Sequence, residues 1–198
     1  KNRYLFDYTS SIIPEDLVKN VIFTSDDEQL LDKSKELGFN TIHRKSELCQ
    51  DSTSMRDVIS DVVTQFDLGE DRDIITLYLT YPQRTWDHVQ LIYDFYLENA
   101  NGSLLCKKDL KVHPYMCFLE DKNYKGKKIV NHQLYRRQEY PSCFECCHYV
   151  VINKVSKLLD LDLNLFCEDT VFYRLEEKIF DVDYLKDFNN FKKDKLSD

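Results

Sequence analysis

Ile74-Ile75-Thr76-Leu77-Tyr78-Leu79 runs directly into Thr80-Tyr81-Pro82-Gln83-Arg84-Thr85, and then into Trp86-Asp87 and a stretch with Val89, Ile92, Tyr93 and Tyr96 at helical spacing. An apolar run of this length, bounded by turn residues, reads as a strand that is central in its sheet and covered on both faces. The proline turn ends it, a helix starts near Thr85-Trp86-Asp87, and Gly102 breaks that helix. Ser103-Leu104-Leu105-Cys106 then reads as the next strand.

The same alternation extends outward. Val21-Ile22-Phe23 is a short β-rich run ended by Thr24-Ser25-Asp26-Asp27. Asp26 or Asp27 can cap the following helix, with Leu30, Leu31 and Leu37 on its buried face and Gly38 as its C-cap. Thr41-Ile42 reads as a short strand. Asp51 to Ser54 can start another helix, whose apolar face is Val58, Ile59, Val62, Val63 and Phe66. Beyond the centre, Glu120 to Arg137 is polar and Lys-rich and reads as an exposed hairpin or arm. Sheet order resumes at His148-Tyr149-Val150-Val151-Ile152, helical residues follow, and Thr170-Val171-Phe172-Tyr173 is a last strand. Lys192 to Asp198 read as a frayed tail. Strand–helix alternation at this pitch predicts parallel pairing in a doubly wound α/β sheet. Ligands of such sheets bind outside the carboxyl ends of the strands. Three polar strand ends are therefore candidates: Thr24 to Asp27, Thr80 to Arg84, and Asp181 to Asp183.

The 198 residues predict one domain with a full core. A net charge of −8 argues against a nucleic-acid groove, while leaving room for a nucleotide bound by a local Arg/Lys cluster. No apolar run is long enough to span a bilayer. Seven cysteines, an odd number, fit reduced thiols of the cytoplasm better than a disulfide framework. Cys143-x-x-Cys146-Cys147-His148 lacks a second ligand pair at zinc-finger spacing and reads as small buried residues on a strand. In Phe180-Asp181-Val182-Asp183 two carboxylates two positions apart project to one side of a strand end or tight turn. They suit a hard divalent ion such as magnesium shared with substrate phosphates. An acidic strand end facing water has the same letters.

Several stretches together resemble the acylneuraminate cytidylyltransferase family, whose members make CMP-sialic acid and related CMP-sugars. Leu77 to Thr85 is similar to the family pattern L-Q-P-T-S-P-L-R-T, matching without gaps at Thr80, Pro82, Arg84 and Thr85. Phe23-Thr24-Ser25-Asp26-Asp27-Glu28 resembles V-S-T-D-D-E, and Arg44 through Leu48 with Asp51 resembles R-P-x-x-L-x-x-D. Arg136 to Pro141 is similar to R-R-Q-D-x-P, and Phe180 to Asp187 to I-D-I-D-x-x-x-D. The resemblance implies a Rossmann-like nucleotidyltransferase fold with a mostly parallel central sheet and a small protruding arm, at about residues 120–147. It implies CTP and a 2-keto-3-deoxy sugar acid as substrates, Mg2+ as cofactor, and a homodimer with the arm reaching towards the partner subunit. By the same resemblance Asp181 and Asp183 hold the metal and carry the chemistry. Arg44, Tyr78, Thr80, Arg84, Arg137 and Gln138 line the substrates, with Arg137 on the sugar carboxylate and Arg84 also fixing its own loop.

The departures carry expectations too. The family's triphosphate-binding stretch A-R-G-G-S-K-x-I-x-x-K-N is not among the 198 residues, and Arg3 to Thr9 aligns just after it. Truncation or loss of the first strand and phosphate loop is expected. In the case of loss, the chain is a catalytically inactive binding or structural module. Tyr78 stands where the family has a sugar-facing Gln, Glu145 where it has a second sugar-binding Arg, and Cys147-His148 where it has N-G. The stretch Cys143-Phe144-Glu145-Cys146-Cys147-His148-Tyr149 is closer to the C-F-E-x-S-H-F of a surface-polysaccharide subset. That predicts an atypical CMP-sugar synthetase for which sialic acid is a poor substrate. A small phosphatase-like or response-regulator-like α/β domain would use the acidic residues but explains neither the Pro82/Arg84 turn nor the Arg-rich arm.

Overall fold

The computed structural model describes residues 3–194. A short helix, α1 (Leu5–Ser10), leads into β1 (Ile22–Ser25), α2 (Glu28–Glu36) and β2 (Asn40–His43). Asp27 caps α2 by accepting from the Gln29 and Leu30 amides. Gly38 follows α2 with a φ of +83°, the left-handed turn only glycine adopts without strain. Leu31 is buried under α2, whereas Leu37, expected beside it, lies at the helix end and is exposed. β1 and β2 pair in parallel, as the helix between them requires.

Ser54 caps α3 (Met55–Gln65), which buries Val58 and Ile59. Next come β3 (Asp73–Thr76), α4 (Trp86–Asn99) and β4 (Ser103–Asp109). Thr85 caps α4 through the His88 amide, and the helix buries Val89, Ile92 and Tyr96. A small antiparallel hairpin, β5 (Phe118–Glu120) with β6 (Gly126–Lys128), is exposed along its length and forms the arm expected there. β7 (Phe144–Lys154), β8 (Val171–Arg174) and α5 (Leu185–Asp194) complete the chain. Lys192 to Asp194, expected to fray, belong to α5, and residues 195–198 lie outside the described residues.

The larger sheet has the order β3-β7-β4-β8. Three of its strands share a direction, with β4 and β8 parallel, while β7 runs antiparallel between β3 and β4. Uniform parallel pairing fails only at this strand. The long excursion through the arm returns the chain to the sheet from the opposite end. The same insertion displaces β3 from the centre. It is four residues long, pairs only with β7, and is half-buried throughout. The central strands are β7 and β4, where Leu104, Cys106 and Tyr149 to Ile152 are fully buried.

Both faces of this sheet are covered. Leu104, Cys106, Val150 and Ile152 pack under α4 with Val89, Ile92 and Tyr96. Leu105 and Val151 face the other way, onto Ile59 of α3 and onto Leu158, Leu161 and Leu165. Strand alternation explains the split. An irregularity in β7 then resets it. Between the Leu104–Ile152 and Cys106–Cys147 pairs β7 has extra residues, so Cys147 and Tyr149 join the α4 face as well. No helix among the described residues is long and apolar enough to cross a membrane.

Candidate active site

Two loops that are a hundred residues apart in sequence meet at the carboxyl ends of β3 and β8. The Val182 amide donates to the Thr80 carbonyl at 2.9 Å. The Tyr81 hydroxyl donates to Asp181 Oδ2 at 2.7 Å. Val182 is buried between the two carboxylates, Asp181 is half-buried, and Asp183 faces solvent. Asp-x-Asp therefore clamps its own loop by the middle residue and leaves an acidic group on each side. Asp187 takes no part in this. Its carboxylate accepts from the Tyr184 amide and shapes the entry to α5.

The Pro82 turn is held from below by Arg84. This guanidinium is only 3% exposed, donates from Nη2 to the Tyr78 carbonyl at 2.8 Å, and lies over the rings of Tyr81 and Tyr149. Its Nε and Nη1 are buried and have no hydrogen-bond partner. Burial lowers its pKa to about 10, an effect the surrounding Tyr149 and Tyr81 oppose. Of the two roles expected for Arg84, the structure supports the loop clamp. Tyr149 is itself fully buried and its hydroxyl lies 2.7 Å from His88 Nδ1 at the start of α4.

Tyr78 is half-buried on the other side of the loop, with its ring 5.3 Å from the His148 ring. Burial, with the nearby Cys146, pushes its phenol up to about 12, so it is a neutral donor at ordinary pH. Beside His148 opens a cavity of about 280 Å³ lined by Leu105, Cys146, His148, Asp162, Asn164 and Phe166. Of the cysteines in and just before this part of β7, Cys147 is the small buried residue expected, whereas Cys143 and Cys146 are exposed.

The remaining sequence candidates lie elsewhere. Arg44 folds back on the end of β1, donating from Nη2 to the Thr24 carbonyl at 2.9 Å. Among the described residues no hydrogen bond joins it to the Thr80 turn or to Asp181. Arg137 and Gln138 sit in a single exposed turn of the arm, Arg137–Glu139, and their side chains have no hydrogen-bond or ion-pair partner among the described residues.

Two residues missed in the sequence belong to this end of the sheet. Tyr81 orients Asp181, and Lys108, near the carboxyl end of β4, pairs with Glu145 of β7 at 3.0 Å. Glu145 is therefore not a bare negative charge. The polar end Lys107-Lys108-Asp109 is the same kind of strand-end signal as the three that were read, hidden because the strand runs three residues beyond Cys106. Tyr81 had no signal of its own, since its partner is distant in sequence.

A mixed α/β fold with the acidic Asp181–Asp183 loop joined to the proline turn at its strand ends is thus what the geometry defines. By structure, the chain is similar to a solved CMP:2-keto-3-deoxy-manno-octonic acid synthetase complexed with CTP. The TM-score is 0.62 with 11% sequence identity, over 98% of this chain and 88% of that one. By sequence, it is similar to N-acylneuraminate cytidylyltransferases of Streptococcus agalactiae serotypes III and Ia, 23% identical over 173 residues. The match covers 86% of this chain and 41% of each relative, so the chain spans about two fifths of the length of the curated relatives it matches. No protein-family model matches the chain.

Proposed function

We propose that the protein transfers a cytidylyl group from CTP to an acidic sugar, releasing pyrophosphate and forming a CMP-sugar. The observation that carries this reading is the pairing of the Thr80–Arg84 turn with the Asp181–Asp183 loop through the Val182 amide and the Tyr81 hydroxyl. These are stretches that carry the sequence resemblance to cytidylyltransferases, and they are in direct contact at the carboxyl ends of β3 and β8.

The donors present fit Mg2+. Asp181 has one oxygen occupied by Tyr81 and one remaining, and Asp183 is exposed. Among the described residues no group of three or more His, Cys, Asp or Glu side chains is arranged around a metal ion. Two carboxylates with no further protein ligand suit an ion that keeps several waters and is otherwise held by substrate phosphates. When bound there, magnesium supplies electrostatic stabilisation of the charge that develops at the α-phosphate. The protein's own part is positioning. Tyr81 fixes the direction of Asp181, Arg84 fixes the turn that carries Tyr81, and the buried Val182 holds the acidic loop against Thr80.

The direct test is thermal denaturation with each nucleotide in the presence of magnesium. A ligand that binds the native state raises the melting temperature. CTP is expected to give a larger shift than ATP at equal concentration, followed by pyrophosphate release when a 2-keto-3-deoxy sugar acid is added. Equal shifts, or none, would remove cytidine recognition. A CTP-specific shift without release would instead favour the inactive binding module.

We further propose that a second copy of this chain covers the arm. The arm exposes Met116, Phe118, Leu119, Tyr124, Ile129 and Tyr135, with Tyr135 93% exposed. That apolar area on a hairpin with little core of its own marks an interaction surface. The doubly substituted Leu119→Glu, Tyr135→Glu protein is expected to show half the wild-type mass by light scattering with an unchanged circular-dichroism spectrum. A wild-type protein that is already monomeric at micromolar concentration contradicts the dimer.

A further inference from the structure

A lysine at the carboxyl end of β4, two positions beyond Cys106 and so on the same face as the Cys106–Cys147 pair, has no role assigned by the resemblance. Lys108 Nζ lies 3.0 Å from Glu145 Oε1, and its side chain is about one quarter exposed. It is within electrostatic reach of Asp181. The thiol of Cys147, the register partner of Cys106, feels both Lys108 and Asp181 and lies 3.7 Å from the Tyr81 hydroxyl. Lys108, Glu145, Cys147, Tyr81 and Asp181 therefore form one continuous group that joins β4, β7, the proline turn and the acidic loop.

The other cations considered for this end are committed or remote. Arg84 is enclosed, Arg44 is tied to Thr24, and Arg137 is on the arm. Lys107, next in the strand, points to the opposite face, with its ammonium 4.5 Å over the Phe144 ring. An ammonium has three donors, and Glu145 is its one ion-pair partner among the described residues. The other two are free for an incoming oxyanion. Desolvation works against the charge, but the Glu145 hydrogen bond and the carboxylates beside it keep the ammonium protonated.

We propose that Lys108, held in place by Glu145, is a substrate-binding residue that takes an anionic oxygen of the ligand at this end of the sheet. This rests on the cytidylyl-transfer reading for the identity of that ligand, but not for the existence of the oxyanion site. The oxyanion is either a phosphate oxygen of the nucleotide or the carboxylate of the sugar acid, and separate titrations distinguish them.

The experiment compares the wild-type, Lys108→Arg and Lys108→Met proteins by calorimetric titration with pyrophosphate, CTP and a 2-keto-3-deoxy sugar acid, with magnesium throughout. Loss of one charge-assisted hydrogen bond corresponds to a drop in affinity of about 10-fold to 100-fold. Lys108→Met is expected to show that loss for at least one ligand, and Lys108→Arg to recover most of it, with melting temperatures close to wild type. A loss confined to the sugar acid assigns the carboxylate, and a loss for CTP and pyrophosphate assigns the phosphate. Lys108→Met binding all three like the wild type would overturn the proposal and make the ion pair purely structural. A wild-type protein that binds pyrophosphate but shows no preference for CTP overturns the cytidylyl reading alone. The Lys108→Met comparison with pyrophosphate still decides the oxyanion site in that case. A wild type that binds none of the three overturns both.

Discussion

Asp183→Ala is expected to lose cytidylyl transfer by about a thousandfold or more while the protein stays folded. The figure follows from the several kcal/mol that electrostatic stabilisation contributes at a transferring phosphoryl group, with each 1.36 kcal/mol worth about tenfold in rate. Folding should not suffer, because Asp183 is exposed and has no hydrogen-bond partner among the described residues. Asp181→Ala should lose as much activity but also some stability, since it strands the Tyr81 hydroxyl inside the loop contact. Steady-state rates and melting curves on both variants separate the two effects. Full activity in Asp183→Ala would remove the acidic loop from the chemistry.

The second large effect concerns the clamp under the turn. Arg84→Ala deletes an enclosed side chain, leaves the Tyr78 carbonyl without its donor, and opens a void between Tyr81 and Tyr149. Together these should cost roughly 3 kcal/mol. For a chain of this size that lowers the melting temperature by about 6 to 12 °C. Arg84→Met is the informative companion. It refills most of the volume and removes a buried charge two of whose nitrogens, Nε and Nη1, lack partners. Its loss of stability should therefore be clearly smaller. Equal loss in both variants would mean that the charge itself, through the tyrosine rings, holds the turn.

What the sequence disclosed, and what it hid, divides along the range of the interactions. Capping residues act within a few positions, so Asp27, Ser54 and Thr85 marked their helices correctly. The apolar run at Ile74 announced a strand, but its place in the sheet depends on which strand lies beside it. That partner is β7, some eighty residues later and antiparallel, so the expected central strand stands at the edge of the hydrogen-bonded order. The run also overstated the strand's length, because Leu77 to Leu79 turn away to carry Tyr78 over the Arg84 clamp.

The candidate site shows the same pattern. Asp181 and Thr80 were found from local letters, and the structure joins their two loops directly. Arg84 was found too, but its part in clamping the turn shows only in its burial and its bond to the Tyr78 carbonyl. Glu145 stands where the resemblance places a sugar-binding Arg. Its meaning changes once Lys108 is seen across the β4–β7 pair, a neighbour set by sheet register rather than by sequence distance. Arg137 and Gln138 are on the arm, away from the Asp181 loop within one chain, so their assigned role depends on a second copy.

The central claim is that a metal-bound triphosphate lies against the joined proline turn and acidic loop, at the exposed Asp183 side. Its most direct test replaces magnesium with paramagnetic Mn2+ in the presence of CTP and follows the broadening of backbone amide signals. Thr80, Tyr81, Val182 and Asp183 should broaden first and together, and the effect should vanish in Asp183→Ala. Broadening centred on other residues, or equal broadening without CTP all over the acidic surface, would contradict the account.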